Sequence, residues 1–181
     1  MKRFFIIPLL LVFACGQQQT TETTAQAAEA VEGGQSTVQD ETSEPDVVRV
    51  AANSPVHTTL VAALKAAEYV DALSNAGPFT VFAPTNEAFD KLPAGTVENL
   101  LKPESKDALR NILEYHVYVG VIKEDFVQDG MTLNQVNLDN VTLNKKDGKI
   151  TVNGASVLGV VKASNGVVYV IDAVLLPPEK K

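Results

Sequence analysis

Residues 80–89, TVFAPTNEAF, constrain the fold more than any other stretch, because they write a buried strand, a corner and a capped helix into consecutive positions. Thr80, Val81 and Phe82 favour extended structure. Pro84 can neither donate to a ladder nor extend a strand, so the chain has to turn there. Thr85 then offers a hydroxyl N-cap, and Glu87 falls in the first helical turn, where negative charge suits the helix dipole. The segment is architectural, and Thr85 is assigned a structural role.

Helical signals surround that segment and strand signals follow it. Ser54-Pro55 reads as a helix start, with Ser54 the N-cap and Pro55 the first helical residue. Leu60, Val61, Leu64 and Ala67 then recur at helical spacing, and a second short helix through Tyr69, Val70 and Leu73 ends at Ala76-Gly77-Pro78. His57, just after the helix start, is expected to be exposed. Two further helical pieces cover about residues 97–102 and 103–116. In the second, Leu109, Ile112, Leu113 and His116 stand at i, i+3, i+4 and i+7, so they share one face and His116 points the way the leucines point. Tyr115 lies one position off that face, within reach of solvent.

Past Gly120 the period changes. Val141-Thr142-Leu143 and Lys149-Ile150-Thr151-Val152 flank a polar loop, 144–148, that ends in Asp-Gly and reads as a β-hairpin. Asn153-Gly154 marks another turn, and the β-branched runs 157–161 and 167–174 are separated by Ser164-Asn165-Gly166. Pro177-Pro178 ends the domain. Helices first and strands last, with one strand between helices, predict an α+β fold rather than a doubly wound sheet.

The chain has 181 residues, enough for one domain of ordinary size. Its beginning is not part of that domain. Lys2 and Arg3 precede an apolar run from Phe4 to Ala14, too short to span a bilayer as a helix but suited to a signal peptide. The run stops at the single cysteine, and Val12-Phe13-Ala14-Cys15 looks like a bacterial lipobox, whose cysteine is lipidated and becomes the new N-terminus. Ordinary secretion with cleavage after Ala25-Gln26-Ala27 is the rival, though that site lies far beyond the apolar run. Several acyl chains, at about 0.8 kcal/mol per buried CH₂, would give lasting membrane attachment. Gly16 stands where an aspartate can signal inner-membrane retention, which favours the outer membrane in a cell that has one, at its periplasmic or its outer face.

Residues 16–45 are rich in Gln, Thr, Glu and Ala and carry no Phe, Leu, Ile, Met, Tyr, Lys or Arg. Such a stretch cannot bury enough apolar surface to offset its ordering entropy, so it is expected to be a disordered tether with an r.m.s. span of about 30 Å. Six of the seven net negative charges lie there; Lys2 and Arg3 add two positive ones, which leaves −3 for residues 46–181, the predicted single domain. A mildly acidic domain lacks the electrostatic footprint of a nucleic-acid binder.

Catalytic and metal motifs do not assemble. Gly154-Ala155-Ser156-Val157-Leu158-Gly159 misses the nucleophile elbow, which needs glycine two places after the serine, and no helix start follows it. No phosphate-binding Gly-Lys-Ser/Thr occurs. Two distant histidines and no cysteine beyond Cys15 argue against zinc, and Asp125, Asp129, Asp139 and Asp147 are not at EF-hand spacing. The expectation is a non-enzyme with neither cofactor nor metal.

Three segments together resemble the fasciclin (FAS1) domain: TVFAPTNEAF at 80–89, Leu113-Glu114-Tyr115-His116-Val117, and Val168 to Pro177 (VYVIDAVLLP). The resemblance covers about residues 46–178. It implies a helical layer packed on a β-sandwich or wedge, and a class that mediates extracellular adhesion or protein binding. In animal members the Tyr-His segment with bulky aliphatic neighbours is linked to integrin binding, and Tyr115, His116, Ile112 and Leu113 match it. The aspartate-isoleucine adhesion motifs of those members have no match, because Asn144-Lys145-Lys146-Asp147 continues into Gly148. Beside that reading, His116 is expected to be a buried, hydrogen-bonded core residue, and Asp172 a structural carboxylate accepting backbone or His116 hydrogen bonds. Tyr115 is left between rim packing and binding. The function implied is a lipid-anchored cell-envelope module that binds an extracellular or envelope protein or polysaccharide. The alternative is a carrier holding a small hydrophobic molecule, a pigment or lipid, in an apolar cavity of several hundred Å³ between helices and sheet.

Overall fold

The computed structural model describes residues 44–178. Cys15 and the expected signal peptide and tether, up to residue 43, lie outside the described residues. Six short helices and seven strands follow one another as α1 (Val47–Ala52), α2 (Thr58–Ala66), α3 (Val70–Ser74), β1 (Phe79–Pro84), α4 (Asn86–Asp90), α5 (Thr96–Leu100), α6 (Lys106–Tyr115), β2 (Val117–Val119), β3 (Met131–Asn134), β4 (Asn140–Lys146), β5 (Lys149–Val152), β6 (Ala155–Ala163) and β7 (Gly166–Ile171). The strands form one sheet in the order β2-β1-β7-β6-β5-β4-β3. All neighbours are antiparallel except β1 and β7, which run parallel, Phe79 beside Gly166 through Pro84 beside Ile171. The fold is α+β, as the order of the sequence signals predicts.

Alternation along the two central strands divides the interior. Val81, Ala83 and Val168 face the helices, where they join Val47, Leu60, Leu64, Leu73, Leu109 and Leu113. Phe82, Val167, Tyr169 and Ile171 face the other way and meet Leu133, Val141, Leu143, Ile150 and Val152 from the far half of the same sheet. Because side chains alternate strictly along a strand, β1 and β7 supply both cores at once. β6 carries a register irregularity between Val157 and Gly159, the kind of feature that bends a strand. Gly166 lets β1 and β7 approach, since an added Cβ there would overlap the Phe79 carbonyl.

Several elements differ from the sequence reading. α1 is an additional helix, capped by Asp46, whose side chain accepts from the Arg49 N–H at 2.8 Å. Its run of Val47, Val48, Val50 and Ala51 is too short to establish a period. Ser54-Pro55 opens only one 3₁₀ turn, Pro55–His57, and the Ser54 hydroxyl bonds the His57 ring instead of a backbone N–H. β2 and β3 are three- and four-residue strands that composition does not announce. The β4–β5 loop is tighter than expected: Lys146 pairs with Lys149, and Asp147 and Gly148 turn with φ of 51° and 75°. Two successive positive φ values match the twist of a two-residue hairpin.

Candidate functional site

The Tyr115-His116 segment closes α6 and leads into β2, and its two side chains enter different cores. His116 is the C-cap residue of α6 and is only 3% exposed. Its Nδ1 donates to Ile112 O at 2.7 Å, and its Nε2 accepts the Leu175 N–H at 3.0 Å. A carbonyl on one nitrogen and an N–H on the other fix the neutral tautomer protonated on Nδ1. Burial pushes the imidazole pKa down to about 4, with the Ile112 carbonyl opposing.

Tyr115 corrects the sequence reading: it does not reach solvent. It is 2% exposed within the sheet core, where its hydroxyl donates to Asn140 O at 3.0 Å and accepts from Asn153 Nδ2 at 2.8 Å. The helical stripe marked the Leu113 side of α6 as apolar, but the sheet curls far enough to cover the neighbouring side as well. Leu113 is buried and Ile112 half-buried. Of the four residues matched to the animal binding motif, Leu113, Tyr115 and His116 are thus packed inside the corner and Ile112 is partly accessible.

Asp172 is not the partner of His116. Its Oδ1 accepts the Ser156 N–H at 2.7 Å, and its Oδ2 lies 3.9 Å from Lys91 Nζ, which also donates to Asp172 O at 2.7 Å. The histidine is instead met by the backbone three residues further on, because the segment after β7 brings Leu175 into the core. Thr85 caps α4, its Oγ1 accepting the Ala88 N–H at 3.3 Å. His57 is also corrected, being 4% exposed rather than solvated. Ser54 Oγ holds its Nδ1 at 2.9 Å, its Nε2 has no partner in hydrogen-bonding geometry, and burial lowers its pKa.

Three polar residues that the sequence reading passed over hold the architecture together. Asn165, in the β6–β7 turn, accepts the Val47 N–H at 2.9 Å and donates to Leu73 O and Asn75 O, joining α1 and α3 to the sheet. Thr80 Oγ1 donates to Gly120 O at 2.7 Å and accepts the Ile122 N–H at 3.0 Å. Asn86 accepts from the Thr59 N–H and donates to Pro55 O, fixing the start of α2. Each was visible only as a turn, strand or helix residue, since its partners lie far away in sequence.

The space between helices and sheet measures about 10 Å³, lined by Leu64, Val81, Leu113, His116 and Val168 among others. That admits about one water molecule, far below the several hundred Å³ that a pigment or lipid needs. The larger hollows are open surface clefts, including one of about 480 Å³ at the β4–β5 hairpin and one of about 500 Å³ beside the β6–β7 turn. Among the described residues no group of three or more His, Cys, Asp or Glu is placed to hold a metal, and no helix is long and apolar enough to cross a membrane.

The fasciclin domain family model matches residues 55–177. Protein sll1483 of Synechocystis sp. is 49% identical over 166 residues, spanning 91% of this chain and 87% of that protein. Immunogenic protein MPB70 of Mycobacterium bovis is 40% identical over 161 residues, 85% of this chain and 80% of its own. Cell surface glycolipoprotein MPB83 of the same species is 40% identical over 137 residues, 73% of this chain and 60% of its own. Among solved structures, a FAS1 domain pair from the insect cell adhesion molecule fasciclin I superposes with a TM-score of 0.65 at 19% identity, over 73% of this chain and 51% of that one, a likeness of fold.

Proposed function

The chain belongs to the fasciclin domain family, and from that premise we propose that it acts by binding at the cell envelope rather than by catalysis, held to the membrane by a lipid on Cys15. His116 supports this reading most directly. Of the two histidines it is the one in the matched Tyr-His segment, and both its ring nitrogens are engaged by backbone groups inside the core. The Tyr115 and Tyr169 hydroxyls likewise donate to carbonyls, and burial raises both phenol pKa values, that of Tyr169 to about 12. Groups so committed hold a shape and are not free to exchange protons with a substrate.

Envelope placement is supported by the short apolar run that ends at Ala14-Cys15 and by the description of the mycobacterial relative as a cell surface glycolipoprotein. The partner is an extracellular or envelope protein or polysaccharide, reached through exposed side chains of the domain. Cys15→Ser tests the anchor. Expressed in a lipoprotein-processing bacterium, the variant should leave the membrane fraction or accumulate as uncleaved precursor. Normal processing with full membrane retention would remove lipidation from the proposal.

A further inference from the structure

The outer face of β3, β4 and β5 is a polar surface on which, beyond the hydrogen-bonded Asn134–Asn140 pair at one end, six side chains are uncommitted. Strand register places Thr132 opposite Thr142, Asn144 opposite Thr151 and Lys146 opposite Lys149. Cross-strand partners project to the same side, and alternate residues of a strand share a face. These six therefore stand together, opposite Leu133, Val141, Leu143, Ile150 and Val152, which fill the sheet core. No hydrogen bond or ion pair engages any of the six side chains among the described residues. Lys145, which alternation sends to the other side, is committed: its Nζ donates to Glu124 O at 3.0 Å.

At the hairpin end of this face lies the open cleft of about 480 Å³, bordered by Asn144, Lys146, Lys149 and Thr151, with Asp147 at its turn. Lys146 and Lys149 are a directly opposed pair of like charges, an arrangement that costs stability in a sheet. Asp147, in the turn between them, is the one carboxylate bordering the cleft. The pair persists in a domain whose net charge is negative. Its chemistry suits one kind of occupant. Threonine hydroxyls and an asparagine amide offer both donors and acceptors to sugar hydroxyls, while the paired ammonium groups meet carboxylate or sulfate substituents with charge-assisted bonds. The face carries no aromatic ring on which a nucleic-acid base could stack, and no apolar anchor of the sort that centres a protein interface.

From this juxtaposition we infer that the outer face of β3–β5 binds an acidic polysaccharide, with Lys146 and Lys149 gripping its anionic groups and Thr142, Asn144 and Thr151 its hydroxyls. The inference rests on the binding role proposed above and names the ligand class for it. A chain lying across an open face needs no enclosed cavity, which agrees with the packed interior.

The experiment measures binding of the full mature chain to polygalacturonate, with dextran as the neutral control and duplex DNA as the anionic control that is not a polysaccharide. The same panel is run on the double variant Lys146→Gln/Lys149→Gln and on Thr151→Val. Wild type should bind polygalacturonate in a salt-dependent manner and dextran much more weakly. The double variant should lose about tenfold or more in affinity while its thermal midpoint holds or rises, because relief of a like-charge pair does not disrupt folding. Thr151→Val, which keeps β-branching, should lose a smaller factor. Equal binding by wild type and double variant, no binding to polygalacturonate, or equally tight binding of DNA would each overturn the assignment. A crosslinking pull-down from native envelope separates the two levels. Where polygalacturonate binding fails, a protein captured equally by wild type and double variant would leave the envelope-binding role in place without the sugar-binding face.

Discussion

The two cores that share β1 and β7 are built differently. On the helical side, Val, Leu and Ala residues from four helices, with Tyr69 at the start of α3, pack against Val81, Ala83 and Val168, and His116 enters at the edge. The sheet side is pinned by phenols: Tyr169 donates to Ile122 O at 2.9 Å and lies 5.8 Å from the Phe82 ring, while Tyr115 reaches Asn140 and Asn153. Aliphatic packing is non-directional and tolerates adjustment, whereas a buried hydroxyl with one correct partner specifies register. The helices cover the sheet. The tyrosines determine how the sheet closes on itself.

Substitution of neighbouring residues on β7 should expose that difference most strongly. Tyr169→Ala removes a fully buried ring and its hydroxyl and should cost about 4 kcal/mol, whereas Val168→Ala, facing the helices, should cost about half as much. Urea denaturation of both variants measures the contrast. Equal losses would mean that the two sides are equally rigid.

Acid should act next, through His116 at the boundary. Its folded pKa of about 4 lies below the ordinary 6.5. The unfolded chain therefore takes up a proton as pH falls below 6.5, while the folded chain refuses it until about pH 4. The stability involved is fully present above pH 6.5 and is lost as pH falls to about 4, some 3 kcal/mol by linkage, and the lowered pKa of His57 acts in the same direction. Denaturation midpoints at several pH values should trace this slope. His116→Asn should be less stable at neutral pH and show a shallower slope; an unchanged slope would place the acid sensitivity elsewhere.

Tyr115→Phe gives the smallest expected change, about 1–2 kcal/mol, by leaving Asn140 O and Asn153 Nδ2 unpaired without opening a cavity. It also sharpens the reading of the corner as structural. Affinity for a partner should stay within twofold of wild type once both proteins are folded, and a selective loss of binding at unchanged stability would return Tyr115 to the contact surface.

How much of this was legible in the sequence follows the reach of each signal. β1, the Thr85 cap and the α6 stripe declare themselves within ten residues and stand in the fold, although β1 runs through Pro84, which pairs with Ile171, so that the turn falls just after the proline. The burial of His116 followed from its register with Leu109, Ile112 and Leu113. Its partner did not, because Leu175 is 59 residues away and contributes a backbone N–H, which every non-proline residue carries. Tyr115 was misplaced for a related reason: helical periodicity marks one apolar stripe and cannot register a sheet that wraps the adjacent side. Asn165 read as a turn residue, although its side chain holds two helices. The outer face of β3–β5 is out of reach without register, since no sequence signal marks β3 and Lys146 reads as part of the hairpin loop.

The parallel pairing of β1 with β7 also bears on the order in which the chain can fold. The last of the described strands is a central one, and β1, flanked on one side by β2, must wait for its other partner nearly ninety residues downstream, a long loop to close before that edge is paired. Until residues 166–171 are available, the two halves of the sheet have no common strand, and neither core can be completed. A chain clipped near its C-terminus would thus lose its keystone rather than an edge. Ribosomal synthesis runs from one end to the other, but this domain can only be finished from its middle.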